Sequence, residues 1–122
     1  MNDTINRDAW NDYLTEFNKR NQSRPTWLQV FGEMGAQSEE QGLPLMGISV
    51  DMKGTEAPHI QIMLGGHDAM ESRHLTHVIA NVEKMTPEIG LDGRDAAIEF
   101  INKQGEASLL IFKHRVRLAV EA

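Results

Sequence analysis

Apolar and polar residues alternate most clearly within residues 42–66. In 45–52 and again in 59–64, every second residue is aliphatic, and the turn formers of 53–58 lie between these runs. Side chains of a β-strand alternate between its two faces, so each run predicts a strand with one face in the core. The stretch therefore predicts an antiparallel hairpin.

Two residues of this hairpin interrupt the alternation, Gly47 and Asp51. A glycine inside a strand marks a bulge, a bend or a close approach of another backbone. We interpret Gly47 as a bend in a curved sheet; the alternative is room for a ligand. Asp51 is expected to close the turn through local side-chain bonds, with a binding role as the alternative.

Residues 6–21 carry the spacing of an amphipathic helix. Asn6 is the predicted N-cap, and Pro25 cannot continue the helix. The predicted core-facing stripe consists of Trp10, Tyr13, Leu14 and Phe17.

Shorter runs predict the rest of the sheet. Residues 26–32 predict the strand that follows the helix, and 74–82 predict the strand that follows the central hairpin. The strands 96–102 and 107–112 flank a turn and form a second predicted hairpin. The polar stretches 33–41 and 84–94 are interpreted as loops.

The alternation continues past the last predicted strand. Even positions up to Val120 are mostly apolar, whereas Lys113, Arg115 and Arg117 occupy odd positions. This pattern predicts a long final strand that ends in a tail with an apolar face, and a short terminal helix is the alternative. An apolar tail needs a partner, such as a second copy that pairs at the sheet edge.

The order of elements predicts an α+β fold in one domain, 1–122. We expect the helix at 6–21 to pack on the β-rich part, 26–120. That part is predicted to be a curved antiparallel sheet or a small β-barrel of five to six strands.

Composition narrows the functional classes. The chain has 122 residues and no cysteine, which excludes disulfides, thiolate nucleophiles and cysteine zinc sites. No apolar run is long enough for a membrane span, and the first residues lack a signal-peptide pattern. We therefore expect a bacterial-type cytoplasmic protein with no membrane partner. The net charge of −6 disfavours non-specific nucleic-acid binding, although Arg115 and Arg117 form a local basic candidate site.

The segments GLPLMGIS, IQIMLGG and HLTH, read together with Trp10 and the sequence of 30–32, resemble a small bacterial domain family of unknown function. Members of that family are about this length, so the resemblance covers nearly the whole chain. It implies no activity, cofactor or catalytic residue.

A second resemblance is to the Sm-like small barrels, which bind RNA. The helix-then-strands order, the spacing from Gly47 to Asp51 and the stretch 76–82 are similar to that family. The resemblance implies single-stranded nucleic-acid binding. The chain departs from the family in its longer connections at 67–73 and 83–94 and in the lack of clustered lysines near His77.

Histidines are the main chemical candidates. His67, His74 and His77 lie close together in sequence with Asp68 and Glu71, and all are metal-ligand types. Three ligands must converge on one point, but His74 and His77 would point to opposite faces of a strand. We therefore treat the three histidines as weak metal candidates and predict no metal or other cofactor.

Acid–base chemistry would need a histidine or carboxylate in a cleft. Asp51 and His77 are the predicted binding pair, on the expectation that both lie on the polar face of the sheet. The sequence contains no G-x-S-x-G elbow and no P-loop.

These observations favour a non-enzymatic protein-interaction module that self-associates, as a dimer, over an enzyme. The alternatives are a single-stranded nucleic-acid-binding small barrel and a metal-dependent enzyme that uses the 67–77 histidine segment.

Overall fold

The computed structural model describes residues 3–33, 35–66 and 73–113, with the backbone alone for 38–41. Within these ranges, one α-helix precedes seven antiparallel strands. After a 3-10 turn at Arg7–Ala9, the elements are α1 (Trp10–Asn21), β1 (Pro25–Gly32), β2 (Gly35–Asp51), β3 (His59–Gly65), β4 (His74–Ile79), β5 (Val82–Ile89), β6 (Asp95–Asn102) and β7 (Ala107–Phe112). The predicted α+β class is confirmed.

The strands are ordered β4-β3-β2-β1-β7-β6-β5. The long strand β2 joins two parts of this sheet. Its first half pairs with β1, up to Pro44, and its second half pairs with β3, from Leu45 onward. The two strands at the ends of the order, β4 and β5, are consecutive in the chain but do not pair with each other.

The sheet is therefore open, and the alternative of a closed small barrel is wrong. The predicted count of five to six strands is also too low, because the sequence does not predict β5 as a strand. Residues 84–89 of the second predicted loop belong to β5, and residues 35–41 of the first lengthen β2. The predicted strand 74–82 ends at Ile79, and β5 begins at Val82.

Helix α1 buries one face in the core. Trp10, Leu14 and Phe17 are fully buried, whereas Tyr13 is half-buried at the edge of the stripe. Asn6 makes no side-chain capping bond, and the 3-10 turn begins the helical segment instead. No helix in the described ranges is long and apolar enough to cross a membrane.

The core lies between the two parts of the sheet and α1. Alternate positions of β3 and β7 point into it, as the period of two predicts. Phe17 of the helix reaches Phe112 of β7, with 5.7 Å between ring centroids. The fully buried aliphatic side chains include Leu28, Leu43, Leu45, Ile48, Ile60, Ile62, Leu64, Ile98 and Leu110.

On the side of β2 opposite β3, a side chain of α1 forms hydrogen bonds with the strand backbone where a neighbouring strand would otherwise pair. The side-chain amide of Asn18 donates to the carbonyl of Ile48 at 2.9 Å, and its oxygen accepts from the Ile48 N–H at 2.9 Å. The amide thus reproduces the two bonds of a sheet rung. A register shift between Leu45 and Gly47 marks an adjacent bulge, which is one of the features that a glycine inside a strand indicates.

Asn18→Ala should lower the free energy of unfolding by about 1–3 kcal/mol, because two partly buried backbone groups lose their partner at once. Chemical denaturation checks this value. Asn11→Ala is the matched control, because Asn11 is exposed on the same helix. An equal loss in both variants would show that the bridge to Ile48 contributes nothing.

Candidate functional site

A groove runs beside β4, between that strand and the turn that joins β6 to β7. Val78, Ile79 and Ala80 form one wall, and Val30 contributes from β1. The groove has a volume of about 340 Å³. Its polar lining consists of His77, Asn81, Asn102, Gln104, Glu106 and Ser108.

His77 and Ser108 meet at the inner side of this groove. His77 is half-buried because it shares the inward face of β4 with Ile79, and its Nε2 lies 3.1 Å from Ser108 Oγ. This distance suits a nucleophile and its base. Ser108 is only 4% exposed, however, and a nucleophile must reach its substrate. We therefore interpret the contact as a hydrogen bond that links the two parts of the sheet.

Asp51 and His77 do not lie on the same face of the sheet, as the predicted pair would require, and a binding role for either residue stays a prediction. Val50 is opposite Ile60, which is opposite Ile79, and these three residues share the inward face with His77. Asp51 follows Val50 and therefore points outward. Its carboxylate accepts the Lys53 N–H at 3.0 Å, which confirms the predicted role in closing the turn.

The histidine segment does not assemble a metal site in the described part of the chain. His74 is exposed and His77 points inward, as positions three apart on a strand require. The described residues contain no group of three or more histidine, cysteine, aspartate or glutamate side chains that could hold a metal ion. His67 lies outside the described residues, as do Arg115, Arg117 and the predicted tail. Binding through them stays a prediction.

The strand β4 also has an unpaired edge. It pairs with β3 on one side, and within 3–33, 35–66 and 73–113 no strand pairs with the other side. The Gly66 N–H donates to the Arg73 carbonyl at 3.4 Å. Because hydrogen-bonded and non-bonded pairs alternate in an antiparallel ladder, the backbone groups of His74, Thr76 and Val78 point to the free edge.

Other edges of the sheet are covered or interrupted. The N–H of Ile5 donates to the Met85 carbonyl at 2.9 Å, so the N-terminal segment covers part of β5, which also contains Pro87. In the first half of β2, Gly35 and Gly42 have positive φ, which interrupts the regular strand backbone. By contrast, β4 (HLTHVI) contains no proline, lysine, arginine or carboxylate. Covering segments, prolines and charged residues on an edge strand normally block the addition of another strand.

A second polar site, missed by the sequence analysis, lies where α1 meets β6. Asp95 is buried and accepts from Arg20 Nε and Nη2, at 2.8 and 3.2 Å. Asn21 Nδ2 donates to the same carboxylate at 2.8 Å. Arg24 Nη1 donates to Asn21 Oδ1 and to the Asp95 carbonyl, both at 2.8 Å. The guanidinium of Arg24 stacks on Phe112.

This cluster shifts several pKa values. Burial alone would raise the pKa of Asp95, but the hydrogen bonds from Arg20 and Asn21 and the charges of Arg20 and Arg24 outweigh it, so the pKa is lowered. Burial, and then the repulsion of Arg94, lowers the pKa of Arg24. Arg20 and Asp95 are 75 positions apart in the chain, and no local pattern connects them.

The chain is similar to a known protein family. Neither the curated proteins nor the solved structures contained a match to the chain. A family described as "Family of unknown function (DUF5335)" matches residues 1–121, which confirms the resemblance to a small domain family of unknown function. The match covers nearly every residue, and the chain belongs to this family of unknown function, DUF5335.

Proposed function

We propose that the chain is a protein-interaction module that self-associates through the free edge of β4. A single observation carries this proposal: β4 is an edge strand without lysine, arginine or carboxylate and without a partner in the described part of the chain, and it lies beside a groove. An edge of this kind is a template for adding a strand from another molecule. The second molecule that we propose is another copy of the chain.

The register of such a dimer follows from the free backbone groups. A two-fold axis at Thr76 places this residue opposite Thr76 of the second copy and His74 opposite Val78 of the second copy. In this register, the outward N–H and C=O groups of all three residues face one another, as a hydrogen-bonded antiparallel ladder requires. The sheet would then continue across both copies, and the interface would be the same on each.

The polarity of the edge supports a second copy over a charged partner. Each chain has a net charge of −6, so two chains repel each other at long range. On β4 itself, Val78 is a half-exposed apolar side chain with exposed neighbours His74 and Thr76, and no carboxylate lies on the strand. Pairing at β4 therefore brings together a part of the surface without the negative charge that dominates the chain.

Val78→Lys should raise the dissociation constant of the dimer by about tenfold or more, because one lysine from each copy would then lie beside the shared ladder. Sedimentation equilibrium over a range of protein concentrations measures this change. Val78 is 48% exposed, so the substitution leaves the core intact.

Met52→Lys is the matched control, since Met52 is 45% exposed and lies outside β4. Both variants gain the same charge, so any general effect of a lower net charge is common to them. Equal dissociation constants for Val78→Lys and Met52→Lys would contradict pairing at β4, and a wild-type chain that stays monomeric at high concentration would remove the proposal.

A further inference from the structure

A second cleft, separate from the β4 groove, lies between the end of α1 and the turn that joins β5 to β6. Arg20 and Asn21 contribute from the helix, and Ile89, Gly93, Arg94 and Asp95 contribute from the hairpin. The cleft has a volume of about 420 Å³. It is therefore large enough for a small organic molecule.

The cationic groups of this cleft are not all used within the chain. Arg20 binds Asp95 through Nε and Nη2, while its side chain is 46% exposed and Nη1 takes part in neither bond. Arg94 is exposed, and within the described ranges its guanidinium makes no hydrogen bond or ion pair. Two sets of guanidinium N–H donors are thus open to one cleft.

The region carries more positive than negative charge, because three arginines, Arg20, Arg24 and Arg94, lie near two carboxylates, Asp92 and Asp95. The hydrogen bonds of Arg24 go to neutral oxygens of Asn21 and Asp95. Burial, and then the like charge of Arg94, lowers the pKa of Arg24, whereas the charges of Asp95 and Asp92 act in the opposite direction. An anion bound to Arg94 would offset the repulsion between Arg94 and Arg24, because it neutralises the charge of Arg94. Charge-assisted bonds to guanidinium groups are among the strongest hydrogen bonds in proteins.

The same cleft has an apolar side. Ile89 lines it, and its side chain is half-exposed. Leu91, two residues further along the turn, is fully exposed. A ligand that carries a short hydrocarbon chain would cover Ile89 while its charged group binds the arginines.

We propose that this cleft binds a small organic carboxylate with a hydrocarbon chain, through Arg94 and the free edge of Arg20. The carboxylate accepts from the two guanidinium groups, and the chain lies on Ile89. Asp95 does not compete for these donors, since its two oxygens already accept from Arg20 and Asn21. The site is independent of self-association at β4.

The test is a titration of the whole chain followed by amide NMR shifts. Hexanoate should shift the amides of 89–95 and bind about tenfold or more tightly than acetate, which lacks the chain, and than hexanol, which lacks the charge. A short peptide that ends in leucine carries the same two groups, so comparing it with hexanoate distinguishes a peptide terminus from a free acid as the source.

Arg94→Gln should weaken hexanoate binding by about tenfold, whereas Lys84→Gln, an exposed residue on β5, should leave it unchanged. Equal affinities for hexanoate and acetate, shifts outside 89–95 or an Arg94→Gln variant that binds like the wild type would overturn the proposal.

Discussion

Asp95→Ala should lower the free energy of unfolding by about 2–4 kcal/mol, measured by chemical denaturation near neutral pH. The side chain of Asp95 is 4% exposed and accepts from both Arg20 and Asn21. Its removal leaves a buried Asn21 amide with one partner fewer and a cluster of guanidinium groups with no carboxylate between them. The loss stays below the upper range for buried pairs because Arg20, at 46% exposure, can turn to water.

The same carboxylate predicts a pH dependence. The pKa of Asp95 is lower in the folded chain than in the unfolded chain, so the unfolded state takes up the proton first. The stabilisation is therefore complete above the unfolded pKa of about 3.9 and disappears as the pH falls through the folded value. The difference in stability between wild type and Asp95→Asn should shrink as the pH is lowered through this range.

Glu56→Gln is the control for both measurements, since Glu56 is an exposed carboxylate in the turn before β3. It should change stability little at any pH. A wild type and an Asp95→Asn variant with parallel pH profiles would show that the contacts of Asp95 do not stabilise the junction between helix and sheet.

Phe17→Ala should lower the free energy of unfolding by about 3–5 kcal/mol, which is more than the loss expected for Asp95→Ala. Phe17 is fully buried, with its ring 5.7 Å from that of Phe112 and 5.9 Å from that of Tyr13. Truncation removes apolar contact and leaves a cavity between α1 and the sheet. Because α1 also covers the second half of β2 through Asn18, the loss should reach this strand as well.

The matched substitution is Phe31→Ala, at the exposed end of β1, where the ring is 37% exposed. This substitution should lower the free energy of unfolding by about 1 kcal/mol or less, because removing a partly exposed ring leaves little or no buried cavity. Denaturation midpoints of the two variants test the difference. Similar losses would mean that α1 is not packed on the core as described.

Where one face of an element is buried, the sequence predicts the fold well. The alternation of β3, with Ile60, Ile62 and Leu64 inward, identified the central hairpin. The stripe of Trp10, Leu14 and Phe17 identified α1 in the same way. In each case the periodicity reflects a real core face, so the local pattern was sufficient.

The two stretches that are interpreted as loops but belong to strands, 35–41 and 84–89, lack the alternation of apolar and polar residues. The start of β2, residues 35–37, is exposed and pairs with the end of β1, so it needs no apolar face. Strand β5 contains Pro87 and three charged residues, a composition typical of a loop. It is a strand because it pairs with β6 and because an edge position tolerates proline.

The polar contacts could not be found from local sequence. His77 meets Ser108 across 31 positions, and Arg20 meets Asp95 across 75. Only the return of β7 to β1 and the packing of α1 bring these residues together. For the same reason the sequence could not show that Asp51 and His77 lie on opposite faces, since the face of each residue depends on the register from β2 to β4.

Hydrogen exchange at the amides of β4 tests the central claim most directly. In dilute protein, the amides of His74, Thr76 and Val78 should exchange quickly, because they point to the free edge, whereas those of Leu75 and Ile79 are protected by β3. At concentrations well above the dimer dissociation constant, self-association through β4 predicts that the amides of His74, Thr76 and Val78 become protected. The exchange of the Leu75 and Ile79 amides should change little. Exchange that stays equally fast at both concentrations for His74, Thr76 and Val78 would contradict it.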